Sequence, residues 1–313
     1  MVQNVLSACE KINVDDILVK DADLSGRNTA RLPSKAEWAA WPKDYHEIRA
    51  ALAWAKERNL PVTVLGGCSN SILSRRGIKG LAIMTTHLTR CHINGELFCV
   101  RGGLALNKAV DLAIDAGLSG LELLSGIPGT VGGAVWGNAG SNGRQISDTL
   151  YYVDYLTLDG EFHRLGVRQE EFGYRTSPFQ TLPCIIYEAG FRLRPTRQTA
   201  QLKTISEGCR SFRKTAHQYT LPSAGCTFKN PEGQSAGKLI DSLGLKTLSV
   251  GGASVSPWHA NFLVNNGTAT GEDFLALAEK IKSEVKAKTG ITLSYEVRFI
   301  GDYQTYESSS DRA

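Results

Sequence analysis

The sequence predicts an α+β protein, on three observations. Helix and hairpin signals are mixed, without the strict strand–helix alternation of a doubly wound sheet. Asn94-Gly95 and Asp159-Gly160 each sit between strand-like flanks, the arrangement that closes two-residue β-hairpins. A strongly patterned, capped helix near the carboxyl end stands apart from both hairpins.

Each element follows in order. After a polar leader, "DYHEIRAALAWAKERN" places Ile48, Leu52 and Ala55 on one helical face. It runs into "LPVTVLGGCSNSIL", where Pro61 opens a short apolar strand that stops at Gly66-Gly67, a βα-type opening. The hairpins are "CHINGELFCV" and "VDYLTLDGEFHRL", and between them "ALNKAVDLAIDAG" is a helix ended by Gly117. A third region begins near Cys209 with a short helix in "SAGKLIDSLGL". In "TATGEDFLALAEKIKSEVKAKTG", Thr270 and Asp273 form a capping box, and Phe274, Leu277, Ile281 and Val285 form the buried stripe. Gly290 ends the helix. "ITLSYEVRFIG" reads as a strand and "SSSDRA" as a disordered tail.

Composition narrows the function classes. A chain of 313 residues, 42% hydrophobic and 21% charged, is long enough for two or three domains with proper cores. Lys+Arg 35 against Asp+Glu 31 leaves +4 with no basic block, which argues against nucleic acid and leaves room for an anionic small molecule. The seven cysteines are scattered, with no CxxC pair and no zinc spacing, so reduced thiols and no metal are expected. The start lacks a signal-peptide pattern, and no run approaches the roughly 18 apolar residues of a membrane span. A cytoplasmic monomer, bound to no membrane, is the expectation.

Two glycine loops carry the first functional signal. One is Leu65, Gly66, Gly67, Cys68, Ser69, Asn70 and Ser71. The other packs seven glycines between Gly126 and Gly143. Within it Ser125, Gly126, Pro128, Gly129, Thr130, Gly132, Gly133, Asn138 and Gly140 are the binding candidates. Successive N–H groups in such turns form anion nests, and glycine lets backbone approach a ligand closely. One such loop alone reads as a tight turn in a scaffold; two, each after an apolar run, point to a phosphate-bearing ligand held by backbone. No Lys-Ser/Thr follows the glycines, and GxGxxG with a downstream acid is absent, so neither ATP hydrolysis nor a Rossmann NAD site is supported.

"GLELLSGIPGTVGGAVWGNAGSNG" resembles the flavin-binding signature of the UDP-N-acetylenolpyruvoylglucosamine reductase family. The resemblance continues through "PVTVLGGCSNSILSRRGIKGLAI", "GYRTSPF", "PSAGCTFKNPEGQSAGKLIDSLGLK", "GGASVSPWHANFLVN" and "ITLSYEVRFIG", in the family's order. It implies a vanillyl-alcohol-oxidase-type pair of FAD-binding subdomains, 1–86 and 87–207, and a C-terminal α+β domain for the UDP-sugar, 208–290. The strand 291–301 can return to the first subdomain, and 302–313 is the tail. The shorter of the family's two types is implied, with non-covalent FAD and NADPH as reductant. The implied reaction belongs to peptidoglycan precursor synthesis. Reduced flavin gives hydride to the methylene of UDP-N-acetylglucosamine enolpyruvate, and protonation of the neighbouring carbon gives UDP-N-acetylmuramate.

Carried over residue by residue, the resemblance implies Arg175 as the guanidinium gripping the substrate carboxylate and Glu296 as the carboxyl that polarises it. Cys226 stands where the family's proton-donating serine stands. A thiol with a pKa near the ordinary ~8.5 is protonated at neutral pH and releases its proton more readily than an alcohol. Without the motifs, Arg175 reads as a surface arginine, Glu296 as a strand-end carboxylate and Cys226 as a small buried thiol, the role expected of Cys184 and Cys209. Tyr174, Lys229, Asn230 and Asn261 are the substrate-binding candidates; His259 has no assigned catalytic role. Three departures stand out: Cys68 for a glycine, "RLPSKAEW" in place of a Gly-Gly-Pro entry, and Asn142 where an aromatic is common. A side chain at Cys68 must fit a negative φ or point away from the diphosphate. The alternatives are a flavin oxidase of the same superfamily and a nucleotide-sugar or flavin binder without turnover.

Overall fold

The computed structural model describes residues 12–303; residues 1–11, with Cys9 among them, and the tail from 304 to 313 lie outside the described residues. Three larger sheets organise the described residues, and the first two are packed on both faces. The first has strands Leu18–Asp23, Lys35–Ala40, Ile78–Met84 and Val62–Leu65 in that spatial order, antiparallel in the first pair and parallel in the others. Helix α1 (Tyr45–Glu57) is capped by Asp44, which accepts from His46 N and Glu47 N at 2.9 and 3.0 Å. Its Ile48, Ala51, Leu52 and Ala55 close on Leu81 and Ile83 of this sheet and on Leu156, Ile185 and Tyr187 of the next. The expected apolar face is therefore a seam between two sheets.

The second sheet is antiparallel: Phe162–Gly166, Leu150–Thr157, Cys184–Arg192, Leu97–Arg101, Cys91–Asn94. Both expected hairpins are present, and their turn glycines, Gly95 and Gly160, take φ of +59° and +83°. Helices α2 (Leu106–Asp115) and α3 (Val131–Trp136) pack on this sheet around Phe98, Val100, Val153 and Phe191. Helix α4 (Thr199–Thr215) was not foreseen. Leu202, Ile205, Cys209 and Phe212 recur at helical spacing along it, a stripe that sequence reasoning passed over; only Leu202 and Ser206 of its seventeen residues are buried. It runs unbroken through 207 and 208, and a 3-10 turn, Thr85–His87, spans 86 and 87.

In the third sheet, Ser223–Cys226, Phe262–Asn265, Ala253–Val255 and Ser249–Val250 lie in that order. Helices α5 (Ala236–Ser242) and α6 (Gly271–Thr289) cover it, with the capping box of Thr270 and Asp273 formed as expected. The closing segment differs from the single strand expected over 291–301. Only Arg298–Ile300 is strand, paired in parallel with Ser71–Leu73 of the first glycine loop's exit. The cause is a long-range contact: Glu296 N and Val297 N both turn to Thr227 O, at 2.8 and 3.3 Å, which no regular ladder permits. None of the described helices is long and apolar enough to cross a membrane.

Candidate active site

The two glycine loops lie back to back. A Cβ added at Gly66 would meet Thr130 Oγ1 at 2.5 Å, one at Gly67 would meet Gly129 Cα at 3.2 Å, and one at Gly129 would meet Ser69 Oγ at 2.5 Å. Ser69 Oγ ties them by donating to Pro128 O at 3.0 Å. Among the described residues, the consecutive N–H groups of Gly67, Cys68, Ser69 and Asn70 donate to no protein acceptor. A run of unspent backbone donors suits a diphosphate. The buried indole N–H of Trp41, packed on the Leu65–Cys68 core, also has no protein partner.

Several side chains expected to reach a cofactor are committed inside the protein. Thr130 Oγ1 caps α3 by accepting from Gly133 N at 3.3 Å. Ser125, fully buried, shares a 2.7 Å hydrogen bond with Ser206 and accepts from Arg210 Nε at 2.9 Å. Asn138 Nδ2 donates to Gln145 Oε1 and Gly173 O, at 3.1 and 2.9 Å, and its Oδ1 accepts from Ser147 N. Its bond to Gly173 O braces the turn that carries Arg175. Cys68 satisfies only the second of the alternatives offered to it. It keeps a left-handed φ of +46°, and its side chain points into the core, where burial pushes the thiol up to about 12. Asn142, also left-handed at +54°, donates to Leu123 O at 3.0 Å, a conformation asparagine tolerates better than an aromatic.

Arg175 sits in a two-residue turn closed by hydrogen bonds between Gly173 and Thr176, both 3.1 Å. Its own φ is +55°, a conformation that costs a non-glycine residue about 1–2 kcal/mol. The strain is held by neighbours: Gln180 Nε2 donates to Arg175 O at 2.8 Å, and Ser177 Oγ to Trp136 O at 2.7 Å. Arg175 Nε donates to Glu296 Oε1 at 2.5 Å, with side-chain exposures of 26% and 12%. Burial raises the Glu296 carboxyl above its ordinary range, against the pull of Arg175 and, further off, Lys229.

Cys226 completes the group. A bulge between Ser223 and Cys226, with Gly225 at φ +79°, re-aims the strand end, and Thr227 N donates to Asn261 O at 2.7 Å. Burial first, and then the negative charge of Glu296, pushes the Cys226 thiol up to about 12; Arg175 and Arg213 act in the opposite direction. The thiol is therefore neutral at physiological pH. The chain brings Arg175, Glu296 and Cys226 together from three separate elements.

The other candidates divide. Tyr174 is exposed beside the Arg175 guanidinium, 5.3 Å from ring centre to Cζ. Lys229 is near enough to act on Glu296, and Asn230 is exposed, with its Oδ1 accepting from Ala236 N at 3.0 Å. Asn261 is buried and spends both ends of its amide on Phe228, Nδ2 to O at 2.8 Å and Phe228 N to Oδ1 at 2.9 Å. It braces the Cys226–Phe228 segment. His259 is a satisfied core histidine: Nδ1 accepts from Asn261 N at 3.2 Å, and burial lowers its pKa. Sequence reasoning missed Arg213, at the end of α4, whose Nη2 donates to Ser141 Oγ at 2.8 Å and whose charge reaches Cys226. It also missed Tyr219, whose hydroxyl donates to Gly126 O. No motif singled out either one.

A family profile described as FAD binding domain matches residues 36–166, and one described as UDP-N-acetylenolpyruvoylglucosamine reductase, C-terminal domain, matches 217–300. Both glycine loops fall in the first and both Cys226 and Glu296 in the second, while Arg175 lies between them. The chain is 35% identical over 300 residues to a UDP-N-acetylenolpyruvoylglucosamine reductase of Geobacillus kaustophilus, covering 96% of this chain and 97% of the relative. It is 39% identical over 282 residues to one of Synechococcus sp. strain JA-3-3Ab, 90% of each. The crystal structure of UDP-N-acetylenolpyruvylglucosamine reductase from Thermus caldophilus matches with a TM-score of 0.75 at 34% identity, over 90% of this chain and 98% of that one. The unspent donors of the first loop fit the diphosphate of FAD. Gly129→Ala, at φ +112° and against Ser69 Oγ, is expected to part the loops and yield protein with little bound flavin, read from its visible absorbance per mole of chain.

Proposed function

The chain belongs to the UDP-N-acetylenolpyruvoylglucosamine reductase family, and on that premise we propose that it reduces UDP-N-acetylglucosamine enolpyruvate to UDP-N-acetylmuramate, with NADPH as reductant and Cys226 as proton donor. The observation that carries this reading is the convergence of the Arg175–Glu296 pair, 2.5 Å from Nε to Oε1, with a neutral Cys226 thiol in one half-buried place. FAD bound on the glycine loops supplies the hydride.

The residues supply what addition to an enolpyruvyl ether needs besides hydride. Negative charge develops on the carbon beside the carboxylate, and a guanidinium that stays charged at every step stabilises the enolate-like form. Arg175 has Nη2 left to offer a carboxylate, since Nε and Nη1 are engaged with Glu296 and Gly140 O. Cys226, protonated and adjacent, gives its proton to that carbon. The thiolate left behind lies within reach of Arg175 and Arg213, which favour the charged form. Tyr174, Lys229 and Asn230 are placed to hold the remainder of the UDP-sugar, and Asn261 supports them from behind.

Anaerobic stopped-flow mixing tests the reading. NADPH should bleach the yellow enzyme, and UDP-N-acetylglucosamine enolpyruvate should recolour it. Bleaching by an alcohol would make the protein an oxidase, and no bleaching by any reductant would make it an inert binder.

A further inference from the structure

After α4 the chain turns through His217–Thr220 across the second glycine loop, where Tyr219 reaches Gly126. His217 holds a left-handed φ of +54°, and its Nδ1 pairs with Thr220 Oγ1 at 3.2 Å. Its imidazole lies flat on Trp258, with ring centres 4.7 Å apart and planes 16° from parallel. Trp258 is nevertheless 43% exposed, and among the described residues no second ring or cation covers it. One face of a large indole is backed by an imidazole and the other is open.

The platform stands on the site's own framework. Trp258 N donates to Ser256 Oγ at 3.3 Å. The turn closes with Ser256 N to Phe262 O and Phe262 N to His259 O, both 2.8 Å. Phe262 is the register partner of Cys226. The exposed indole is therefore fixed on the turn beside the proton donor, at the rim facing the glycine loop. A core role would bury both rings, and a strained His217 gains nothing from an idle surface position.

We propose that the His217–Trp258 stack is a platform for a nucleobase, its open face receiving the planar ring of a nucleotide ligand bound beside Cys226. Resting on the nucleotide-sugar reading above, this names the residues that position the uracil of the substrate or the adenine of the reductant. The backing imidazole fixes the indole plane before binding, so little rotamer freedom is lost when a base docks. Stacking tolerates either base, because each presents a π-face.

The test titrates oxidised holoenzyme with UDP and, separately, with NADP⁺, by calorimetry and tryptophan fluorescence. Trp258→Ala should weaken at least one of them about tenfold, which is about 1.4 kcal/mol. Trp258→Phe should keep most of the affinity, and in turnover the loss should fall on KM rather than kcat. Loss for UDP assigns the face to uracil, and loss for NADP⁺ assigns it to adenine. Unchanged affinity for both in a folded, flavin-loaded Trp258→Ala overturns the platform while leaving the reductase reading intact if the wild type turns over. A wild type that binds neither nucleotide and does not turn over ends both.

Discussion

Cys226→Ala should be bleached by NADPH at close to the wild-type rate and recoloured by the enolpyruvyl substrate about 10²–10⁴ times more slowly, the usual effect of removing a positioned acid. Only the second half-reaction consumes a proton at carbon, so the defect must be confined to it. Cys226→Ser should keep turnover within about tenfold of wild type. In water a thiol is the stronger acid. Here burial and the Glu296 charge push the Cys226 thiol up to about 12, and the same two causes would act on a serine hydroxyl in its place. The same pocket that keeps the proton on also limits how readily it leaves, for sulfur and oxygen alike. Stopped-flow traces of the two half-reactions for the three proteins decide the matter. An alanine variant that recolours normally would place the proton source elsewhere.

What was legible in the sequence was whatever a local pattern encodes. The hairpins at Gly95 and Gly160 and the capping box at Thr270 depend on neighbours within a few residues, and they formed as read. The glycine loops were legible as loops, because backbone packed as closely as Gly67 on Gly129 excludes side chains. Which of their polar groups stay free was not legible. Asn138 and Ser125 look like ligand donors in sequence, yet each is used by a partner that only the fold supplies, Gly173 in one case and Ser206 and Arg210 in the other. Helix α4 was missed although Leu202, Ile205, Cys209 and Phe212 recur at helical spacing, because polar residues dominate the segment and only Leu202 of that stripe is buried. The end of the chain was misread for a related reason. Alternation in "ITLSYEV" fits a strand, but Thr227 O captures both Glu296 N and Val297 N, a long-range event without local signature.

That capture sets up the second large effect, on how substrate and proton bind together. In the free enzyme the Glu296 carboxylate holds Arg175 Nε at 2.5 Å, and the substrate's carboxylate must bind the same guanidinium through Nη2. Two buried carboxylates sharing one guanidinium cannot both stay ionised at little cost. Burial already raises Glu296 above the ordinary carboxylate range, with Arg175 and then Lys229 opposing it and the Cys226 thiol neutral beside it. An arriving carboxylate draws away part of the Arg175 support and adds a like charge, so the bound-state pKa of Glu296 rises further. The sign follows. A group whose pKa rises on binding takes up a proton, so affinity is full below the free-enzyme pKa and falls as pH climbs from that pKa to the bound-state value. The limiting slope is about tenfold per pH unit. For folding the direction is the same: a raised pKa stabilises the native state at low pH, and that contribution is lost as pH passes the folded-state value. Calorimetric titration of oxidised holoenzyme with the enolpyruvyl substrate, in buffers of different ionisation enthalpy, should therefore show uptake of close to one proton within that window. Glu296→Gln should abolish both the uptake and the slope, and its neutral amide should leave Arg175 free for the substrate. Its turnover should nonetheless fall about 10²–10³-fold, as for loss of one group stabilising an oxyanion. Arg175→Lys, a point charge without the fork, should lose a similar factor and weaken the carboxylate's hold. Proton uptake of zero in the wild type, or uptake that survives in Glu296→Gln, would show that the substrate's carboxylate binds without displacing Glu296 from its arginine.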